Sequence, residues 1–249
     1  IPAGIAITLN DVEIHFAPGA RLVIENGDPA SNLLGGRLIL KNSILTADTR
    51  CVSDAQWLGV EVWGNQNEPQ TNTQVHSQGK LIMHGTTIEH AKIGVLVSKR
   101  ADSYDTEGGE CIEALPTIEE EVFDNNRNGG IVLAARGSKF TNNTRGVWIL
   151  PYVSPNGVNN LCRFTKTTFA WDDNIRGKNY IHIQMNQVEG VYVKGCELFN
   201  NISLDLEGYQ SGAGIFSNGS KFYAIPNCNV IGELGAPCPD ETRNTFRDL

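Results

Sequence analysis

The residues best suited to catalysis are two adjacent carboxylates, Asp172 and Asp173, which are followed by Arg176 and His182. Paired carboxylates act as general acid and base in glycoside hydrolysis. Neighbouring residues on a strand point to opposite faces, so the two aspartates need not share a site. A polar turn after Trp171 is the other interpretation of the pair, and the sequence favours it.

A second candidate for chemistry is the acidic segment Ser98–Glu121, which includes Asp102, Asp105 and Glu107. Several carboxylates together can bind calcium. The segment lacks the D-x-D-x-D-G spacing of a dedicated calcium loop. A solvated acidic loop without metal is therefore the favoured interpretation, and a calcium site is the alternative.

Other catalytic signatures are missing from the sequence. The five histidines are scattered and show no H-E-x-x-H spacing. There is no G-x-S-x-G nucleophile elbow, no phosphate-binding loop and no dinucleotide fingerprint. The residues alone therefore favour a non-catalytic protein.

The chain has six cysteines and no C-x-x-C pair, which argues against a zinc knuckle. Cys228 and Cys238 flank a loop rich in glycine and proline, and we expect them to form a disulfide. Cys51 and Cys111 both lie in loop-like segments and could pair. One or two disulfides would fit an oxidising, extracytoplasmic compartment.

The elements that position these residues are indicated by a repeated phrase. G-S-K-F-T-N-N at 137–143 recurs as G-C-E-L-F-N-N at 195–201, with looser copies elsewhere. Such repetition without helical periodicity predicts a β-solenoid with a unit of about 17–29 residues. The copies align on one apolar position, occupied by Ile44, Ile88, Phe123, Phe140, Phe169, Leu198, Phe222 and Phe246.

Between these positions, short alternating runs begin at glycine and predict strands. Alternation places the pairs Val60 with Val62, Val95 with Val97 and Val191 with Val193 inside. Cys196 aligns with Ser138 and Thr86, which predicts a column of small buried residues. Asn125, Asn142 and Asn200 are predicted to stack as a structural column of side-chain amides.

The phrase G-x-h-x-h followed by S/T-x-F-x-N-N-x-x-G-V, where h is apolar, resembles the repeat of the pectate-lyase-like superfamily. Trp57-L-G-V-E-V-W followed by Gln78-G-K-L-I-M is similar to secreted repeat proteins of Bacteroidetes-type bacteria. The resemblance covers roughly residues 35–246. It implies an all-β, right-handed parallel β-helix with loop insertions, but it does not select a function, because this fold supports many.

Family members that cleave acidic polysaccharides use clustered aspartates, or calcium with a basic residue, on an outer face of the solenoid. In such a lyase, calcium neutralises the uronate and arginine or lysine removes a proton. Asp172 and Asp173 resemble the double aspartate of polygalacturonase-like hydrolases. The N-T-D, G-H-G and R-I-K motifs of that group are missing, so the resemblance does not extend to its catalytic residues.

A binding surface is predicted where alternation sends large apolar residues outward. The residues that follow the inward valines, together with those at equivalent places, form one predicted outer column of Glu61, Leu96, Val132, Trp148, Tyr192 and Phe216. Trp63 lies two residues beyond Glu61. Trp63, Trp148, Tyr192 and Phe216 are therefore candidate ligand-binding residues, because aromatic rings suit sugar stacking. In the alternative interpretation, insertion loops fold over this column and bury it.

Charge and composition restrict the partners. The net charge of −8 argues against nucleic acid and anionic membrane surfaces, and no apolar stretch is long enough to span a bilayer. We interpret 1–249 as one β-helix domain of a longer secreted protein, because neither end shows a clear solenoid cap.

The function predicted is a secreted or cell-surface, adhesin-like scaffold that binds polysaccharide or a protein partner. A lyase or hydrolase acting on acidic polysaccharide is one alternative. A third prediction makes the chain cargo of a dedicated, type IX-like secretion system.

Overall fold

The computed structural model describes residues 1–50, 55–65, 68, 70, 77–99, 131–135, 137–152, 160–171, 181–200, 212–226 and 243–247. Within these ranges the chain is all-β, with twenty strands and one 3-10 turn at Pro29–Ser31. In this part of the chain, no helix has the length and apolar character needed to cross a membrane.

The strands form three parallel sheets, A, B and C. Sheet A contains, in spatial order, β1 (Ala6–Asn10), β4 (Arg37–Lys41), β7 (Lys80–His84), β10 (Ile131–Ala135), β13 (Arg163–Thr165), β16 (Glu189–Lys194) and β19 (Lys221–Ile225). Sheet B contains β2 (Glu13–Phe16), β5 (Ile44–Ala47), β8 (Thr87–Glu89), β11 (Lys139–Thr141), β14 (Thr168–Trp171), β17 (Glu197–Asn200) and β20 (Thr245–Arg247). Sheet C contains β3 (Arg21–Ile24), β6 (Gly59–Val62), β9 (Ile93–Val97), β12 (Arg145–Ile149), β15 (Ile181–Asn186) and β18 (Ala213–Asn218).

Successive strands join sheets A, B and C in rotation, so each turn of the chain adds one strand to each sheet. Each strand then pairs in parallel with its counterpart one turn away. This arrangement confirms the predicted all-β solenoid. The valines predicted to face inward, Val60, Val62, Val95, Val97, Val191 and Val193, are all fully buried in one continuous core.

The predicted unit of about 17–29 residues holds at its upper end between Phe140 and Leu198, whereas two members of the predicted column, Ile44 and Phe222, do not belong to it. One turn contains three strands, and Phe140, Phe169 and Leu198, which follow one another in sheet B, are 29 residues apart. Leu45 rather than Ile44 pairs with Ile88 in this column. Phe222 pairs with Val191 in sheet A and is not in the column at all. Phe123 lies outside the described residues.

The turn from sheet A to sheet B explains the small residue that lies two places before the large apolar residue in each repeated phrase. Asn42, Gly85, Gly137, Lys166 and Gly195 have left-handed backbone conformations there. The residue after each is small and buried, and this column consists of Ser43, Thr86, Ser138, Thr167 and Cys196. Their hydroxyl groups, and the thiol of Cys196, donate back to the end of the preceding strand, as Ser43 does to the Lys41 carbonyl at 2.7 Å. The predicted column of small buried residues is therefore confirmed.

The predicted asparagine column is interrupted. Asn142 and Asn200 are buried and occupy equivalent positions two turns apart. Trp171 occupies the same position in the turn between them. Asn125 is outside the described residues. The neighbouring Asn143 links the turns instead, because its Oδ1 accepts from the Ala91 amide and its Nδ2 donates to the Ile88 carbonyl, both at 2.9 Å.

Replacing Asn143 with alanine should lower the free energy of unfolding by about 2 kcal/mol, because two buried backbone groups lose their partners. Urea denaturation would measure this loss. Asn10→Ala is a matched control, because Asn10 is exposed at the end of β1 and its side chain donates to the neighbouring Asp11. Equal stability of the two variants would contradict the bridging role.

Two glycines near the beginning of strands, Gly94 and Gly146, are required because there is no room for a side chain, and not because of an unusual backbone conformation. A Cβ on Gly94 would lie 3.2 Å from the Phe140 ring, and a Cβ on Gly146 would lie 3.1 Å from the Phe169 ring. Each would also meet the backbone of the next turn, at 2.6 Å and 2.5 Å respectively. The glycines in sheet C thus allow the large phenylalanines of sheet B to fill the core.

Candidate functional site

The predicted outer column exists on sheet C, with three changes in membership. Pairing places Glu61, Leu96, Trp148, Gln184 and Phe216 side by side on β6, β9, β12, β15 and β18. Gln184 was missed by the sequence analysis. Val132 and Tyr192 belong to sheet A, so their assignment to this column was wrong. Val132 is fully buried in the core.

Most of this column is covered. Leu96 is fully buried and Trp148 is 9% exposed; with Ile93 and Leu150 they form a small apolar cluster outside the main core. The Arg145 guanidinium lies 4.2 Å from the centre of the Trp148 ring, so one ring face is occupied. This burial agrees with the alternative in which the face is covered. Only Phe216, 46% exposed at the end of the column, offers an open ring.

Trp63, directly after β6, is held in a polar cluster. Its indole nitrogen donates to Glu61 Oε2 at 2.9 Å, and the Lys99 ammonium lies 4.5 Å from its ring centre. Glu61 is 1% exposed and also accepts from Arg21 at 3.3 Å. The indole nitrogen and one ring face of Trp63 are therefore engaged within the protein.

Tyr192 instead lies on the outer face of sheet A. Pairing places it in an outward column of Ile39, Ile82, Leu133, Arg163, Tyr192 and Tyr223, one residue from each of six consecutive strands. The column is therefore apolar over its first half and aromatic over its last two strands. The sequence alone does not indicate this column, because its residues come from strands of different sequence pattern.

Three residues of this column form what we call the aromatic stack: Arg163, Tyr192 and Tyr223. The Arg163 guanidinium carbon lies 4.0 Å from the centre of the Tyr192 ring, and the two tyrosine rings are 4.6 Å apart at 25°. Arg163 Nη1 also donates to the backbone carbonyls of Asn160, Cys162 and Gly190 at 2.8–2.9 Å, which fixes the guanidinium. Tyr223 lies on the last described strand of sheet A, and at 46% exposure it offers an open part of its ring.

The predicted catalytic residues are not brought together in the described part of the chain. Asp172, Asp173 and Arg176 lie outside the described residues. His182 is 1% exposed inside the solenoid, where its ring packs against Phe169 at 6.3 Å between ring centres. Its Nε2 is 3.1 Å from the Phe199 carbonyl, which can only accept, so this nitrogen carries the proton. Burial lowers the pKa of His182 to about 4.

The predicted calcium ligands Asp102, Asp105 and Glu107 also lie outside the described residues. Within the residues that the structure describes, no three histidine, cysteine, aspartate or glutamate side chains are close enough to hold a metal ion.

The cysteines predicted to pair, Cys51, Cys111, Cys228 and Cys238, lie outside the described residues as well. Cys162 and Cys196 are described, and both are fully buried free thiols. Burial raises the pKa of Cys162 to about 12 and that of Cys196 to about 11.

We therefore expect Cys162 and Cys196 to resist alkylation in the folded protein, because the thiolate is the reactive form and both thiols are inaccessible. Iodoacetamide at pH 8, followed by peptide mass spectrometry, should leave both unmodified in native protein and modify both in urea. Rapid native labelling of either thiol would contradict the buried positions.

No protein-family model, curated protein sequence or solved structure matches this chain. Functional interpretation therefore depends on the geometry described above.

Proposed function

We propose that this chain is a non-catalytic, extracytoplasmic module that binds a glycan on the outer face of sheet A, as an adhesin-like scaffold. The observation that carries the proposal is the aromatic stack. Its rings are held in place by Arg163 and by parallel pairing, so little side-chain freedom is lost on binding. An open aromatic face on a rigid surface is suited to stacking against a sugar ring.

The proposed scaffold is a right-handed parallel β-helix of the pectate-lyase-like kind. Its support is physical: connections between parallel strands of one sheet are right-handed in about 98% of cases. The three-sheet rotation and the columns of equivalent residues agree with this architecture.

A binding role is favoured over catalysis by the carboxylates of the same face. Glu189 is the only acidic residue on the described strands of sheet A, and it pairs with Lys221 at 2.9 Å. Glycoside hydrolysis requires two carboxylates across the scissile bond. A lyase or hydrolase built on residues outside the described ranges, and the role as secretion cargo, stay predictions from sequence.

The proposal predicts that Tyr192→Ala and Tyr223→Ala each weaken glycan binding about tenfold or more. The reason is that the stacking of one ligand ring on an aromatic side chain contributes on the order of 1–3 kcal/mol of binding free energy. Affinity electrophoresis against pectins, alginates and glycosaminoglycans would measure it. Phe216→Ala is the matched control, because Phe216 is also 46% exposed but lies on sheet C.

Loss of binding in Phe216→Ala alone would move the site to sheet C. Release of reducing ends or unsaturated products in the same incubations would replace the binding proposal with an enzymatic one.

A further inference from the structure

The outer face of sheet A is cationic, although the whole chain carries a net charge of −8. The described strands of this sheet contain six lysine or arginine residues and one acidic residue, Glu189. The six are Arg37, Lys41, Lys80, Arg163, Lys194 and Lys221. All share the outward register of the apolar and aromatic column, which they flank or join.

The other sheets do not share this bias. Sheet B carries Glu13, Glu89 and Glu197 along with Lys139 and Arg247 on its strands, and sheet C carries Glu61 along with Arg21 and Arg145. The positive charge is therefore concentrated on one of the three faces, rather than being a general property of the solenoid surface.

Four of the six cations have no acidic partner within the described residues: Arg37, Lys41, Lys80 and Lys194. Arg37 and Lys80 are directly paired positions on neighbouring strands, so their side chains leave the same face of the sheet about one strand spacing apart, roughly 4.8 Å at the backbone. The pKa of Lys80 is lowered, first by burial and then by the Arg37 charge. An anion between the two side chains would remove this repulsion.

The cations lie on both sides of the column. Arg37 and Lys80 occupy the side where the strands begin, and Lys41 and Lys194 the side where they end. Between them are apolar Ile39, Ile82 and Leu133, and then the aromatic stack. An extended chain lying across the strands would meet an apolar strip along its centre and positive charge at its margins.

We propose that the glycan bound by this face is a polyanion, whose carboxylate or sulfate groups contact Arg37 and Lys80 on one margin and Lys41 and Lys194 on the other. The proposal rests on the proposed function and adds the chemical class of the ligand. The sugar rings lie on the apolar strip and stack at Tyr223, so the glycan runs along the solenoid axis.

The test compares polygalacturonate and chondroitin sulfate with carboxyl-reduced, desulfated polymers of the same backbones. Calorimetry would measure the affinities of wild type, the double variant Arg37→Gln/Lys80→Gln and the control Lys139→Gln, which removes an exposed cation from sheet B. The acidic polymers should bind, and the double variant should bind about tenfold more weakly, while Lys139→Gln stays within about twofold. Raising the salt from about 50 to about 300 mM should weaken wild-type binding about tenfold.

Equal affinity for acidic and neutral polymers, still lost in Tyr192→Ala, would overturn the anionic assignment and leave glycan binding standing. Binding to none of the polymers would overturn both proposals. Equal affinity for a single-stranded oligonucleotide of matched charge would overturn the assignment to a glycan. Unchanged binding in the Arg37→Gln/Lys80→Gln variant would exclude this margin as the anion site.

Discussion

Replacing Phe169 with alanine should lower the free energy of unfolding by about 3–5 kcal/mol. Phe169 is fully buried, stacks on Phe140 at 4.9 Å and 7°, and meets Phe164 edge to face at 5.8 Å. The loss combines the transfer of a phenyl ring with the cavity it leaves, because Gly146, which lies beside this ring, has no side chain that could fill the space.

Urea denaturation should compare Phe169→Ala with Phe199→Ala. The comparison separates the loss of core packing from the general effect of removing an aromatic ring. Phe199 lies on the neighbouring strand β17 with its ring half-buried on the outer face, 5.1 Å from the Arg247 guanidinium. We expect its removal to cost about 1 kcal/mol. A loss below about 1 kcal/mol for Phe169→Ala would contradict the stacked core.

The second large effect is a loss of stability in mild acid caused by His182. Its pKa is about 4 in the folded chain because the ring is buried, whereas an unfolded histidine titrates near 6.5. Well above pH 6.5 the ring is neutral in both the folded and the unfolded state, so its titration does not change the free energy of unfolding. As the pH falls from about 6.5 to about 4, only the unfolded state gains a proton, so folding loses about 3 kcal/mol.

Chemical denaturation between pH 7.5 and 4 should therefore show a steeper fall in stability for wild type than for His182→Gln, whose amide can also donate to the Phe199 carbonyl. Carboxylates that titrate in the same range affect both proteins equally and cancel in the difference. His15→Gln is the control, because the side chain of His15 is 50% exposed on sheet B. Parallel profiles for wild type and His182→Gln would contradict the buried neutral ring.

Local pattern was enough to predict which residues face inward. The paired valines and the small residue before each phenylalanine are recognisable within five residues, because alternation and tight turns are local properties of the backbone. The same locality explains why the solenoid class could be predicted without any knowledge of which strands pair.

Sheet membership could not be predicted in this way. The tetrapeptide Gly-Ser-Lys-Phe occurs twice: at 137–140 it leads into β11 of sheet B, and at 219–222 it leads into β19 of sheet A. Which sheet a strand joins depends on the length of chain since the previous turn and on pairing with residues tens of positions away. Tyr192 was assigned to the wrong face for the same reason.

The candidate binding face was hidden for a related reason. Arg163, Tyr192 and Tyr223 come from three strands with different sequence patterns, and pairing alone makes them neighbours. Trp148 fitted the sequence pattern of an outward aromatic residue better than these three residues did. Its solvent exposure, however, depends on other parts of the chain that pack over it, and the alternation of residues along a strand gives no information about them.

The unequal length of the turns has a consequence for how such a molecule can diversify. Ile88 and Phe140 remain paired although 52 residues separate them, against 29 between Phe140 and Phe169. Closing a connection twice as long costs only about 0.6 kcal/mol of chain entropy. Connections between sheets can therefore be lengthened or exchanged by recombination while the ladder beneath keeps its alignment, so new specificities can evolve on an unchanged frame.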